Sequence, residues 1–215
     1  MQRPSLRPFV IPVLALAVAA AGCADDSSGV QTELYTVQLQ ALNTQVAGNV
    51  SASGEITVTG DQLTARIDAS GMDDTLHPQH IHLVASCPTM ADDANGDGYL
   101  DVIEGAPSYG LILVPLDDDL SSQAAGSSGF PTGSSFSWEE TTSMSVLMAD
   151  LQAADPDSGD PVVKLDAGES LDLAGRSVVI HGVADEDLPE TVQGLGGLPG
   201  NVVLPIACGT IIKSD

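Results

Sequence analysis

Apolar and polar residues alternate with a period of two along much of the chain beyond residue 33. Tyr35, Val37, Leu39 and Ala41 share one face of an extended segment, as do Ile56 and Val58, and then Leu63, Ala65, Ile67 and Ala69. Successive side chains on a strand point to opposite faces, so this pattern predicts half-buried strands. Further strands are expected at Gln79 to Ala85, Leu111 to Val114, Ser135 to Glu140, Ser177 to Val183 and Ile206 to Ile212, separated by clusters of Gly, Ser, Pro and Asp. One helical pattern stands out. Met144, Leu147, Met148 and Leu151 recur at spacings of three and four, and Asp155-Pro156 stops them. Thioethers are soft ligands for Cu(I), but this spacing is what burial demands, and the two methionines are read as core. Short strands with one brief helix predict an antiparallel sandwich or barrel. No internal repeat or shift in composition divides it, and Ser121 to Ser135 reads as a long surface loop.

The start of the chain breaks the alternation. Arg3 and Arg7 precede an apolar run from Phe9 to Ala21, which ends in Ala20-Ala21-Gly22-Cys23. The run has secretory length and is too short to span a bilayer as a mature helix. Residues 1–22 are therefore expected to be a bacterial lipoprotein signal peptide, with Cys23 lipidated. Ordinary cleavage near Ala21, which leaves Cys23 unmodified, is the alternative, and Ala20 stands where a larger aliphatic residue is usual. Residues 23–33 read as a polar tether and 34–213 as a single domain. The expected location is extracytoplasmic, on the periplasmic or cell-surface side of a bacterial membrane, with the lipid anchor as the only membrane contact.

With 215 residues, 43% of them hydrophobic, the chain can bury a core, and disorder is not the expectation. Charge narrows the partners. Thirty acids and six bases give a net charge of −24. Removing Arg3 and Arg7 leaves Arg66, Lys164, Arg176 and Lys213, so thirty acids then face four bases, a net charge of −26. Such a surface repels phosphate, which excludes nucleic acid and anionic membrane surfaces and favours metal ions. If Cys23 carries lipid, Cys87 and Cys208 remain as an even pair in an oxidising compartment, and a disulfide between them is expected. It would close a long loop, worth about 4–5 kcal/mol by chain entropy.

Asp93-Ala94-Asn95-Gly96-Asp97-Gly98-Tyr99-Leu100-Asp101-Val102-Ile103-Glu104 matches the D-x-N-x-D-G-x-x-D-x-x-E calcium pattern. Asp93, Asn95 and Asp97 would present oxygens on one side of a tight loop, Gly98 would permit the turn and Tyr99 would supply its carbonyl. Asp101 would act directly or through water, and Glu104 would close the shell with two oxygens. Hard oxygen donors select calcium over zinc or copper. Pro88 before the loop and Gly105-Ala106-Pro107 after it predict a lone loop without flanking helices, which orders structure rather than switching it. An acidic turn in an acidic protein is the simpler alternative.

Three of the four histidines lie in Leu76-His77-Pro78-Gln79-His80-Ile81-His82. On a strand His80 and His82 point to one face, which makes half of a copper or zinc site. By itself the pair is equally a set of solvated or hydrogen-bonded histidines. The fourth, His181, lies in Gly175-Arg176-Ser177-Val178-Val179-Ile180-His181-Gly182-Val183-Ala184-Asp185. That segment resembles the G-R-x-x-V-x-H-x-x-A-D motif of copper-zinc superoxide dismutases. Ile206-Ala207-Cys208-Gly209-Thr210-Ile211 is similar to the family's last strand, L-A-C-G-x-I, and Leu76 to His82 to its L-H-G-F-H-x-H strand. The motifs occur in the family's order and cover residues 34–87 and 165–213. The segment from Gly60-Asp61-Gln62-Leu63 to His80-Ile81-His82 also resembles CHRD-type extracellular domains, less completely.

The resemblance implies an all-β, eight-stranded Greek-key barrel. It also implies copper ligands at His80, His82 and His181, a buried structural histidine at His77, and a supporting aspartate at Asp185. Cys87 and Cys208 match the family disulfide, and a homodimer is an assembly the resemblance suggests. The pattern also departs from the family. No histidine lies between His82 and His181, so the bridging and zinc ligands are missing and no zinc is expected. Pro205 occupies the position of the catalytic arginine. The expected function is a metal-binding lipoprotein with calcium in its loop and copper on three histidines. A copper-only superoxide dismutase and a non-enzymatic, calcium-stabilised surface or adhesion module are the alternatives.

Overall fold

The computed structural model describes residues 30–123, 129–153, 162–184 and 188–215. The expected signal segment, Cys23, most of the expected tether, the expected helix stop at Asp155-Pro156 and Asp185 lie outside them. Eight strands form the body: β1 (Thr32–Ala41), β2 (Ser51–Thr59), β3 (Gln62–Ser70), β4 (Gln79–His82), β5 (Ile112–Pro115), β6 (Ser135–Ser143), β7 (Ser177–His181) and β8 (Pro205–Lys213). They join in one antiparallel sheet in the order β5-β4-β7-β8-β1-β2-β3-β6. The sheet curls into a half-barrel whose margins, β5 and β6, are consecutive in the chain.

The alternation seen in the sequence fills the inside of the curl. Val37, Ile56, Leu63, Ala65 and Ile67 come from one part of the sheet and meet Ile81, Val178, Ile180, Ile206 and Ile211 from the other. A short helix, α3 (Met144–Leu151), follows the expected spacing. The Ser143 hydroxyl caps it by accepting from the Val146 N–H. Leu147 and Leu151 are buried, and Met144 and Met148 pack against the core.

Several strand ends differ from the hydropathy reading. β4 stops at His82 rather than Ala85, and β7 at His181 rather than Val183. Both strands lose register where a histidine stands, between Ile81 and His82 and between Ile180 and His181. The apolar residues beyond them belong to turns. β6 runs on to Ser143 because it stays paired with β3 as far as Gln62. Residues 129–134 of the expected long loop lie against the barrel: the His77 N–H donates to the Pro131 carbonyl, and Leu76 bridges Thr132.

The described residues also hold more helix than the one segment expected: α1 (Thr44–Ala47), α2 (Val102–Tyr109) and α4 (Gly200–Val203) join α3. α2 corrects the reading of a loop without flanking helices. Asp101 is its N-cap, its Oδ1 accepting from the N–H groups of Ile103 and Glu104, while the Glu104 carboxylate accepts from the Asp101 N–H. This reciprocal capping box starts a helix that Gly105 and Pro107 disguise. Gly105 is needed because the Tyr109 ring lies over it, and a Cβ there would stand 2.7 Å from a ring carbon. Pro107 removes one N–H, and burial of Val102 and Tyr109 offsets that cost.

A disulfide joins Cys87 to Cys208, with the Cα atoms 5.7 Å apart, as expected from the cysteine count. It staples the segment after β4 to β8 on the outside of the curl. There Leu42, Leu100, Tyr109, Val179 and Cys208 form a second, smaller core. β7 thus buries both faces, Val178 and Ile180 inward and Val179 and His181 outward.

Candidate metal centre

The outer face of β4 and β7 carries His80, His82 and His181. β4 and β7 are antiparallel neighbours, with His80 opposite Val179 and His82 opposite Ser177, so residues 80, 82, 177, 179 and 181 share one side. One ring nitrogen from each histidine lies within 4.8 Å of the other two, and among the described residues no other group of histidine, cysteine or acidic side chains achieves this. Exposures are 9% for His80, 3% for His82 and 4% for His181.

Backbone carbonyls set the rings. His82 Nδ1 lies 2.9 Å from the Gly110 oxygen, and His181 Nδ1 lies 2.7 Å from the Val203 oxygen. A carbonyl can only accept, so Nδ1 is the donor in each ring and Nε2 keeps its lone pair. Both Nε2 atoms are buried without a protein partner, as is Nδ1 of His80. Buried polar atoms are normally paired, so three orphaned nitrogens on converging rings are what a metal site requires.

Electrostatics favour the ligating state. Burial drives the pKa of His80 well below its ordinary value, and the neighbouring His181 and His82 add to the effect. Burial and His181 lower His82 to about 3, and burial lowers His181 to about 4. All three are neutral imidazoles near neutral pH, so a metal need not first displace protons. Aromatic rings wall the cluster. Phe130 stands edge-on to His80 with centroids 5.2 Å apart, and Tyr109 lies 4.5 Å from His82.

His77 is fully buried beneath this face. Its Nδ1 lies 3.0 Å from the His181 oxygen and its Nε2 3.0 Å from the Asp73 oxygen, so it braces the backbone that carries His181. The place expected for Asp185 falls outside the described residues.

The acidic loop is folded back on itself. Asp93 accepts from the N–H groups of Gly96 and Gly98, Asn95 from that of Asp97, and Asp97 from that of Tyr99. Glu104 reaches from α2 to the N–H groups of Ala94 and Asn95. Gly98 has φ +86°, the turn for which glycine was expected. Asp101 faces elsewhere. It is buried, and its Oδ2 accepts from the N–H of Gln193, 2.9 Å away.

Sequence reading missed Phe130, Tyr109 and the two orienting carbonyls. A usable signal existed for the aromatics: the chain has only seven, and two of them flank the histidines. Carbonyls leave no trace in a sequence.

Fold and site together define an antiparallel β protein with one disulfide and a buried three-imidazole cluster fit to hold a metal ion. No protein-family model matches the chain, and no curated protein matches it. Among the described residues, no helix is long and apolar enough to cross a membrane.

Proposed function

We propose that this chain is an extracytoplasmic, lipid-anchored copper protein on a superoxide dismutase-like Greek-key barrel. Copper is held by His80, His82 and His181, and calcium by the loop of residues 93–104. The convergence of three buried, unpartnered ring nitrogens carries the reading. Imidazole donors suit copper, and of the divalent first-row series copper binds nitrogen sites most tightly. The strand order and the disulfide support the barrel type, since β8 lies between β7 and β1 and is stapled to the segment that covers the histidines.

Bound copper supplies one-electron redox chemistry. The chain supplies neutral donors, carbonyls that fix two of the rings, and aromatic walls that restrict access. Among the described residues, the four basic side chains are engaged elsewhere than at the histidines. Arg66, Lys164 and Lys213 pair with Asp68, Asp150 and Glu33, and Arg176 donates to the Leu83 carbonyl. Copper storage or transfer therefore fits better than rapid dismutation. The loop reading rests on its ligand spacing and on Glu104 folding back over it, and extracellular sites of this chemistry bind at about 10⁻⁴–10⁻³ M.

Elemental mass spectrometry tests the proposal on mature protein purified from copper- and calcium-supplemented cells, beside a His80→Ala/His82→Ala variant. Near-stoichiometric copper that the variant loses is the expected result. Zinc in its place would overturn the copper assignment, and calcium without copper would favour a structural surface module. A superoxide assay on the copper-loaded protein should give little activity above the variant.

A further inference from the structure

We infer that Asp101, placed by its sequence pattern among calcium ligands, is a positioning residue of the histidine cluster. The inference rests on the three-histidine reading and adds what holds that geometry together. Two carbonyls orient two of the rings, and they come from distant parts of the chain. Gly110, which accepts from His82, follows the end of α2 and closes it by donating its own N–H to the Ala106 carbonyl. Val203, which accepts from His181, ends α4. Each carbonyl lies two residues before a strand, β5 or β8, and backbone bonds from Val84 to Tyr109 and from Gly182 to Leu204 hold its neighbour to the chain that leaves β4 or β7; what remains is a tie between the two segments themselves.

Asp101 makes that connection. Its Oδ1 accepts from the Ile103 and Glu104 N–H groups, at 2.8 and 3.0 Å, and so starts the helix that ends beside His82. Its Oδ2 accepts at 2.9 Å from the N–H of Gln193, on the segment that leads into α4 and the Val203 carbonyl. The carboxylate is 1% exposed, so these bonds form away from competing water. Asn43 clamps the adjoining residues in parallel. Its backbone is left-handed, with φ 47°, which asparagine tolerates. Its amide donates to the Leu100 and Pro205 carbonyls and accepts from the Leu100 N–H. Leu100 precedes Asp101, and Pro205 opens β8 two residues beyond Val203, so Asn43 ties the approach to α2 to the strand that follows α4, while Asp101 ties α2 to the segment that precedes α4.

Asp101→Ser keeps a helix cap but is too short to reach Gln193, and Asp101→Asn keeps the cap while replacing one acceptor oxygen with a donor. Thr89→Ala is the control, since it removes the cap of the neighbouring 3-10 turn, whose capping bonds lie within residues 89–92. The probes are Cu(I) affinity, by competition with a chromophoric chelator under reductant, and the paramagnetic resonance spectrum of the Cu(II)-loaded protein. Loss of a group that hydrogen-bonds a ligand directly typically costs about 10–100-fold in metal affinity, and Asp101 acts through such groups, so the low end of that range applies. Both Asp101 variants should weaken Cu(I) binding by about tenfold and shift the Cu(II) spectrum, with Thr89→Ala unchanged. A purely structural role would lower the melting temperature yet leave the loaded spectrum intact, which would overturn the inference. Asp101→Asn decides the matter if Asp101→Ser fails to fold. If wild-type protein binds copper no better than His80→Ala and His181→Ala variants, the three-histidine reading fails and this inference with it. If wild type binds tightly and the Asp101 variants match it, the inference alone fails.

Discussion

The two outer faces of the half-barrel are built on the same two-residue period and have opposite characters. On β2, β3 and β6 the outward side chains meet water. Thr64 bonds Thr141 across the strands, and Arg66 pairs with Asp68 beside Ser137. On β4, β7 and the start of β8 the outward side chains His80, His82, Ser177, Val179, His181 and Cys208 are buried, and the face opens again only further along β8, at Thr210 and Ile212. The difference comes from what lies above them: residues 83–110, pinned by the disulfide, α2 and the Asp101 bond. A polar residue at an outward strand position is thus surface on one side of the molecule and part of a site on the other. Only the covering segment decides which.

Acid should separate the two faces most. Above about pH 6.5 the three histidines are neutral whether the chain is folded or unfolded. Below it the unfolded chain takes up protons, while the folded chain resists until about 4 at His181 and about 3 at His82. Stability contributed by the neutral, buried state is therefore lost as the pH falls through this window, at up to about 1.4 kcal/mol per pH unit per histidine. Denaturant titration of metal-free protein across the window should show the fall, and a His82→Gln/His181→Gln variant should show a flatter one. Equal slopes would mean that the covered face is wetter than its burial implies.

Ile81→Ala probes the boundary between the faces. Its side chain is 1% exposed inside the curl, while its neighbours in sequence point outward. A loss of about 2–5 kcal/mol is expected from the cavity left behind. The smallest effect belongs to the open face. Thr141→Ala removes the bond to Thr64 and should cost under about 1 kcal/mol in the same titration, because water replaces the partner. A larger cost there would contradict the contrast between the faces.

These physical differences also govern how much the sequence could convey. β1, β2 and β3 were legible because their inward residues are apolar and their outward ones polar, as in Leu63 to Ala69. α3 was legible from Met144 and Leu147. The strand period marks β4 and β7 but not their ends, since register breaks at His82 and His181 depend on partner strands. α2 stayed hidden because Gly105 and Pro107 mark a break locally, whereas the ring of Tyr109 and the cap at Asp101 compensate in three dimensions. The histidines were legible as ligand candidates from the strand period and a family resemblance. Their orienting carbonyls were not, because every residue has one.

The place of β8 has a consequence for how the molecule comes into being. Among the described residues it is the last strand in sequence, and it lies between β7 and β1. A polypeptide that emerges in order from its N-terminus therefore leaves the edges of β1 and β7 unpaired until residues 205–213 arrive. Cys87 has no partner until Cys208 follows, and the Pro205 clamp of Asn43 comes equally late. The face that carries the histidines is thus completed only once β8 has docked between β7 and β1. A nascent chain arrested short of β8 would expose two pairing-competent edges and be prone to aggregation.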